Sequence, residues 1–146
     1  MTTIAWDGRT LAADRQSSND GCRMGQATKL RRMADGRLVA AAGAATRCTL
    51  YLTWLEDQSQ PRPPWQDDTE TSVHALEVLL DGTVLRHEEH GAYALDAPHI
   101  ALGSGAPYAL AAMACGRDAA DAVRIASQFD VWTGGEPDLL VLGSPA

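Results

Sequence analysis

Thr2-Thr3-Ile4-Ala5-Trp6 and Arg9-Thr10-Leu11-Ala12-Ala13-Asp14 flank the pair Asp7-Gly8, and this stretch decides the fold class. An Asp-Gly pair between apolar, β-forming runs is the strongest short-range signal for a two-residue hairpin, because the favoured turn needs residues that tolerate positive φ. The pattern recurs further along. Asp35-Gly36 separates residues 29–34 from 37–42, and Asp81-Gly82 separates 73–80 from 83–88. Between these two hairpins, residues 46–58 read as a helix with Leu50, Trp54 and Leu55 on one face. It stops at Pro61-Arg62-Pro63-Pro64, a stiff stretch that no helix accommodates.

The second half reads in the same way. A short strand near residues 100–102 runs into Gly103-Ser104-Gly105-Ala106-Pro107, where Pro107 suits a first helical turn and Gly116 its end. The intervening helix, residues 108–115, is almost wholly small and apolar and is expected to be buried all round. Asp118 is placed to cap a further helix, with Asp121 in its first turn and Ala122, Val123, Ala126 and Phe129 along one face. A last strand covers residues 138–142. The order of four strands, helix, strands, two helices and strand predicts one α+β layered domain over residues 1–146, not a βαβ alternation.

Composition bounds the function. A net charge of −7 gives no reason to expect a nucleic acid or an anionic membrane as partner. No stretch approaches the ~20 apolar residues of a membrane span. The N-terminus has neither the basic region nor the apolar core of a signal peptide, so a cytoplasmic protein is expected. Cys22, Cys48 and Cys115 lie far apart without metal-ligand spacing, which reads as free thiols with no metal and no cofactor. The basic residues are eleven Arg and one Lys, Lys29. Arg is a permanently charged fork and Lys a compact point charge with a tunable pKa, so a lone Lys among many Arg draws attention to itself.

Taken in order, Thr2-Thr3-Ile4-Ala5, Leu11-Ala12-Ala13-Asp14 and Lys29-Leu30-Arg31-Arg32 resemble the proteasome β-subunit superfamily, in particular its bacterial HslV-type threonine peptidases. Ala101-Leu102-Gly103-Ser104-Gly105-Ala106-Pro107-Tyr108-Ala109 resembles the Gly-Ser-Gly segment of that family, and Asp130-Val131-Trp132-Thr133-Gly134-Gly135 its Asp-x-x-Ser/Thr-Gly-Gly. The resemblance spans essentially the whole chain and implies a four-layer αββα sandwich of the N-terminal-nucleophile hydrolase type. The family's second helix is shortened or missing here, since only the Pro-rich stretch 58–72 occupies its place.

What the resemblance implies about chemistry is specific. Loss of Met1 would expose Thr2, whose own α-amine serves as base for its hydroxyl, so no separate His is required. Lys29 takes the place of the lysine beside the nucleophile, and Asp14 that of the carboxylate holding it. Ser104 would bond the Thr2 amine and relay its proton, with Asp130 and Thr133 behind it. The oxyanion would meet a backbone N–H at Gly43-Ala44, where Ala42-Gly43-Ala44-Ala45-Thr46 replaces the family's Gly-rich run. The implied substrates are peptides or unfolded proteins, and the implied assembly is a homo-oligomeric ring. Loss of a helix is expected to weaken or remove docking of an ATPase unfoldase. A catalytically silent relative that keeps only the scaffold is the alternative, and the state of Met1 separates the two.

Overall fold

The computed structural model describes residues 2–64 and 73–144. In chain order the elements are β1 (Thr3–Trp6), β2 (Thr10–Ala13), β3 (Gln16–Asn19), β4 (Cys22–Gln26), β5 (Leu30–Arg32), β6 (Leu38–Ala42) and α1 (Ala45–Glu56). They continue with β7 (His74–Val78), β8 (Val84–Glu88), β9 (Gly91–Ala94), β10 (Ile100–Gly103), α2 (Ala106–Ala114), α3 (Ala119–Ala126) and β11 (Asp138–Val141). All three Asp-Gly pairs lie in hairpin turns, but the Met33 N–H bond to Arg37 O and the Leu79 N–H bond to Thr83 O, both 2.8 Å, make the second and third loops three residues long rather than two. Each Asp side chain accepts the backbone N–H two residues on: Arg9 at 2.9 Å, Arg37 at 3.1 Å and Thr83 at 2.9 Å. This is the Asx bond that makes Asp favourable at the turn, and each following Gly takes the positive φ. A fourth pair, Asp20-Gly21, closes the β3–β4 hairpin, which the sequence reading passed over because its flanks are polar and β4 is exposed throughout.

Strand alternation builds the layers. One antiparallel sheet runs β10-β1-β2-β11 and another β5-β6-β7-β8-β9. Ile4, Trp6 and Leu11 of the first face Leu38, Leu76 and Val78 of the second across the main core. The opposite face of the first sheet carries Ala5 and Ala12, whose small side chains let α2 and α3 approach closely through Ala109, Met113 and Val123. On the far side of the second sheet, α1 covers Val39, Ala41, Val73 and Ala75. The result is the four-layer αββα sandwich. No helix among the described residues is long and apolar enough to cross a membrane.

The helix faces differ from expectation. α1 buries Tyr51, Leu52 and Leu55, while Leu50 is 51% exposed. α2 is buried on one face only, through Ala109, Ala112 and Met113, and leaves Tyr108 and Leu110 toward solvent. It covers a sheet rather than crossing a core. α3 is capped by Asp118, which accepts from the Asp121 N–H at 2.8 Å. Phe129 lies beyond the end of α3 and stacks on Tyr108 at the surface instead of packing inward.

Residues 57–64 are not helical, in keeping with the expected loss of a second helix, and the remainder of the 58–72 stretch lies outside the described residues. Arg62 anchors this stretch to α1 and to the end of β8. Its guanidinium lies 5.5 Å from the Tyr51 ring centroid, donates to Tyr51 Oη at 2.5 Å, and donates to the carbonyls of Glu88 and Glu89. Beneath α1, Glu77 is buried between Arg37 and His87. Burial alone would raise its carboxyl pKa, but the bonds from His87 and Arg37 hold it below the ordinary value.

One close approach positions everything that follows. Gly103 ends β10 at φ +92°, and a Cβ there would stand 1.9 Å from the Thr2 carbonyl oxygen. Gly103→Ala therefore has to push the start of β1 away from β10. The expected cost is about 2–4 kcal/mol in urea unfolding, set by steric overlap plus the unfavourable φ. A variant as stable as the parent would show that β1 and β10 separate freely.

Candidate active site

The site is assembled around Thr2 and Thr3. β1 lies between β10 and β2, pairing Thr3 with Gly103 on one side and Ile4 with Ala13 on the other. Asp14 follows β2 directly, and its backbone N–H bonds Thr3 O at 3.1 Å. Its side chain is fully buried. Oδ1 accepts from Thr3 N at 3.0 Å and Lys29 Nζ at 2.8 Å, and Oδ2 from Gln16 N and Gly134 N, both at 3.1 Å. A carboxylate removed from water is tolerable only when its lone pairs are met in this way. Lys29 is itself mostly buried, its side chain 11% exposed. The Lys29–Asp14 pairing expected from sequence is therefore present, and its geometry fixes where the ammonium stands.

On the other flank, Asp130 Oδ2 accepts from Ser104 Oγ and from Thr133 Oγ1, each at 2.6 Å. Thr133 Oγ1 lies 2.6 Å from Thr3 Oγ1, which joins this trio to β1. Burial pushes the Asp130 carboxyl up, but the two hydroxyls and the Trp132 N–H outweigh it and hold the pKa below the ordinary carboxylate value. Ser104 Oγ is 3.5 Å from the Thr2 carbonyl oxygen, too long for a strong bond. Met1, whose loss would free the Thr2 amine, lies outside the described residues.

Gly43, at φ +137°, and Ala44, the N-cap of α1, form the expected turn. No side chain caps α1, and its first residues, Ala44 and Ala45, line the cleft, which places the positive end of the helix dipole beside it. Thr2, Lys29, Gly43 and Ala44 line one cleft of about 460 Å³ with Ser17 and Cys48. The structure thus brings Thr2, Lys29, Gly43 and Ala44 to one cavity, with Asp14 behind Lys29 and the Ser104–Asp130–Thr133 trio behind Thr3. Burial pushes the Cys48 thiol up to about 11, with the Lys29 charge offsetting only part of this. It is protonated at neutral pH and does not compete as a nucleophile. Gln16 was missed from sequence. Its Nε2 donates to Val131 O at 3.0 Å and ties the cleft wall to the Asp130 loop, a link with no local sequence signal.

This arrangement has the layer order of the N-terminal-nucleophile hydrolases, with a threonine opening the central strand of one sheet beside a buried Lys–Asp pair. Solved structures share the fold: HslV from Trypanosoma brucei at TM-score 0.73 and 22% identity, covering 96% of this chain and 97% of that one. BPH from Thiobacillus denitrificans matches at TM-score 0.69 and 22% identity in its complex with epoxomicin, and at 0.65 and 21% in a second structure, each covering 99% of both chains. At these identities the likeness is one of fold. No family model matches the sequence, and no curated protein matches it either.

Two predictions follow from the geometry. Lys29→Arg should lower stability in urea unfolding nearly as much as Lys29→Ala, because a guanidinium fork does not fit a point-charge site 2.8 Å from Asp14. An Arg variant as stable as the parent would show that the pocket accepts either cation. For Asp130 the folded pKa is lowered, so its stabilising contribution is complete above the unfolded value and is lost as pH falls through the folded one. Asp130→Asn should therefore flatten the loss of stability below about pH 4 in acid titrations followed by circular dichroism. An unchanged acid limb would contradict this.

Proposed function

We propose that the protein is a threonine peptidase that acts after Met1 is removed. The observation that carries this reading is the buried Asp14–Lys29 pair presenting an ammonium to the cleft that Thr2 lines. Thr2 Oγ1 attacks the substrate carbonyl, and the freed α-amine, with an ordinary pKa of about 7.7–8.0, accepts its proton. The Lys29 charge lowers the cost of the developing alkoxide. The oxyanion is met by main-chain N–H groups at Gly43 and Ala44, which do not depend on the side chain, so alanine in place of glycine is compatible with catalysis. Ser104, held by Asp130, passes the proton between the amine and the leaving nitrogen. Water then hydrolyses the acyl-enzyme.

Subunits of this fold class enclosing their sites would form a homo-oligomer with cyclic symmetry, sized by light scattering. The stretch that replaces the second helix would weaken docking of an unfolding ATPase.

The second reading is a silent scaffold that retains Met1, favoured by Ala44 and Ala45 standing where the resemblance implies a Gly-rich run. Intact mass spectrometry separates the two. The peptidase reading expects a chain lacking Met1, hydrolysis of small peptide esters and amides, and a mass increase with epoxomicin, the compound bound to BPH. Thr2→Ala should abolish hydrolysis and labelling and leave the fold unchanged by circular dichroism. Full activity in that variant, or Met1 retained throughout, would sink the proposal.

A further inference from the structure

A second cavity, also of about 460 Å³, meets the cleft at Thr2 and Gly43, the two residues common to both. The walls of the two cavities differ in charge. The cleft is lined by small neutral side chains with Lys29 as its cation, and that ammonium is already paired with Asp14. The second cavity is lined by Ala42, Leu102 and Ser104 together with His74 and Arg86.

Sheet register explains the charge. Leu38, Ala40, Ala42, Leu76, Val78 and Val84 all point into the main core between the sheets. The same alternation carries His74 and Arg86 onto this inner face, since Ala42 pairs with His74 and Leu76 with Arg86. An arginine on an inward sheet face at the edge of an apolar core is an unfavourable choice unless an anion meets it. Glu88 Oε1 lies 3.0 Å from Arg86 Nε, but the two are not aligned as a hydrogen bond and both side chains are partly open to water. Burial lowers the pKa of His74, and the Arg86 charge lowers it further against Glu88, so at neutral pH the imidazole adds no charge of its own. The cation of this cavity is Arg86.

Which half of a substrate enters here follows from Ser104. This hydroxyl lines the second cavity and is absent from the lining of the cleft. On the peptidase reading, on which this inference rests, Ser104 relays a proton to the leaving nitrogen, so the leaving portion lies on its side. We propose that the second cavity is a leaving-group subsite selective for a carboxylate, with Arg86 as the specificity-determining residue. The carboxylate is either the free C-terminus of a substrate cut close to its end or an acidic side chain just beyond the scissile bond.

The test compares peptides identical up to the scissile bond whose leaving portions are Ala-Ala, Ala-Ala-amide, Asp-Ala-amide and Asn-Ala-amide. An Arg–carboxylate contact at a partly open site is expected to favour the charged member of a pair by about tenfold in kcat/KM. Arg86→Gln should remove that preference and leave the rate on neutral members unchanged. Preference for Ala-Ala over its amide identifies the C-terminus as the source, and preference for Asp over Asn identifies the side chain. Equal rates within both pairs, or a preference that survives Arg86→Gln, would overturn the subsite while leaving the peptidase reading intact. A turnover-independent measurement covers the converse. Dialanine and its amide are titrated by NMR into Thr2→Ala, with and without Arg86→Gln. Should the parent protein hydrolyse none of the peptides, Arg86-dependent binding of the acid alone would retain the anion site and discard the peptidase; no such difference would discard the site as well.

Discussion

The fold and the site both depend on one buried carboxylate. Asp14 receives N–H groups from Thr3, Gln16 and Gly134 and the ammonium of Lys29. These donors come from β1, the start of β3, the turn before β11 and the segment before β5. An ion taken out of water costs several kcal/mol unless it is fully met, so the segments are not free to drift independently. Lys29 stands where it does because an immobile carboxylate holds it. The charge that serves the cleft is therefore set by the same contacts that fix strand order around β1.

Thr3 has the complementary role. Its N–H meets Asp14 and its hydroxyl meets Thr133, so it joins the Lys29–Asp14 pair to the Ser104–Asp130–Thr133 trio. Side chains alternate along a strand, so the hydroxyl of Thr2 is directed oppositely to that of Thr3, toward the inter-sheet side where Ile4 and Trp6 also point. One threonine is tied to Asp14 by its N–H and to Thr133 by its hydroxyl, and the other lines the cleft. Gly103 and Gly105 have no Cβ for a matching reason, since a methyl at either would overlap Thr2 or Thr3. Two adjacent residues of the same type thus have different environments because the pleat separates them.

Local chemistry was legible in the sequence, and long-range chemistry was legible only where a resemblance supplied it. The Asp-Gly hairpins and the Asp118 cap form through bonds spanning a few residues, and they were found where they were read, although the loops at Asp35-Gly36 and Asp81-Gly82 have three residues instead of two. Polar hairpins carry no apolar pattern, so Asp20-Gly21 went unread although both of its residues take positive φ and form the two-residue turn itself. The face of α1 was misassigned because Leu50 and Tyr51 differ by only about 100° around the helix axis, and the sheet beneath decides which is buried. Singling out Lys29 rested on its being the one lysine in an Arg-rich chain. Ser104 and Asp130 are 26 residues apart with no periodic relation, and only the family pattern joined them. Arg86 was unreadable for a different reason: whether it faces the core or solvent depends on register with β7, which no local pattern encodes.

α1 is held to its sheet by the apolar packing of Tyr51, Leu52 and Leu55 and, at its C-terminal half, by polar groups as well. Arg37 reaches the Leu55 carbonyl at 3.4 Å while pairing with Glu77, Arg62 bridges Tyr51 to the backbone of Glu88 and Glu89, and Trp54 Nε1 donates to Gln60 O at 2.9 Å. These bonds are directional where hydrophobic contact is not, so they fix the rotation of α1 about its axis as well as its distance from the sheet. On the peptidase reading rotation matters because α1 begins directly after Gly43 and Ala44, the proposed oxyanion donors, and a backbone donor stabilises an oxyanion only when its N–H points at it. The arginines that hold the other end of the helix give the Arg bias of the composition a structural use apart from surface charge.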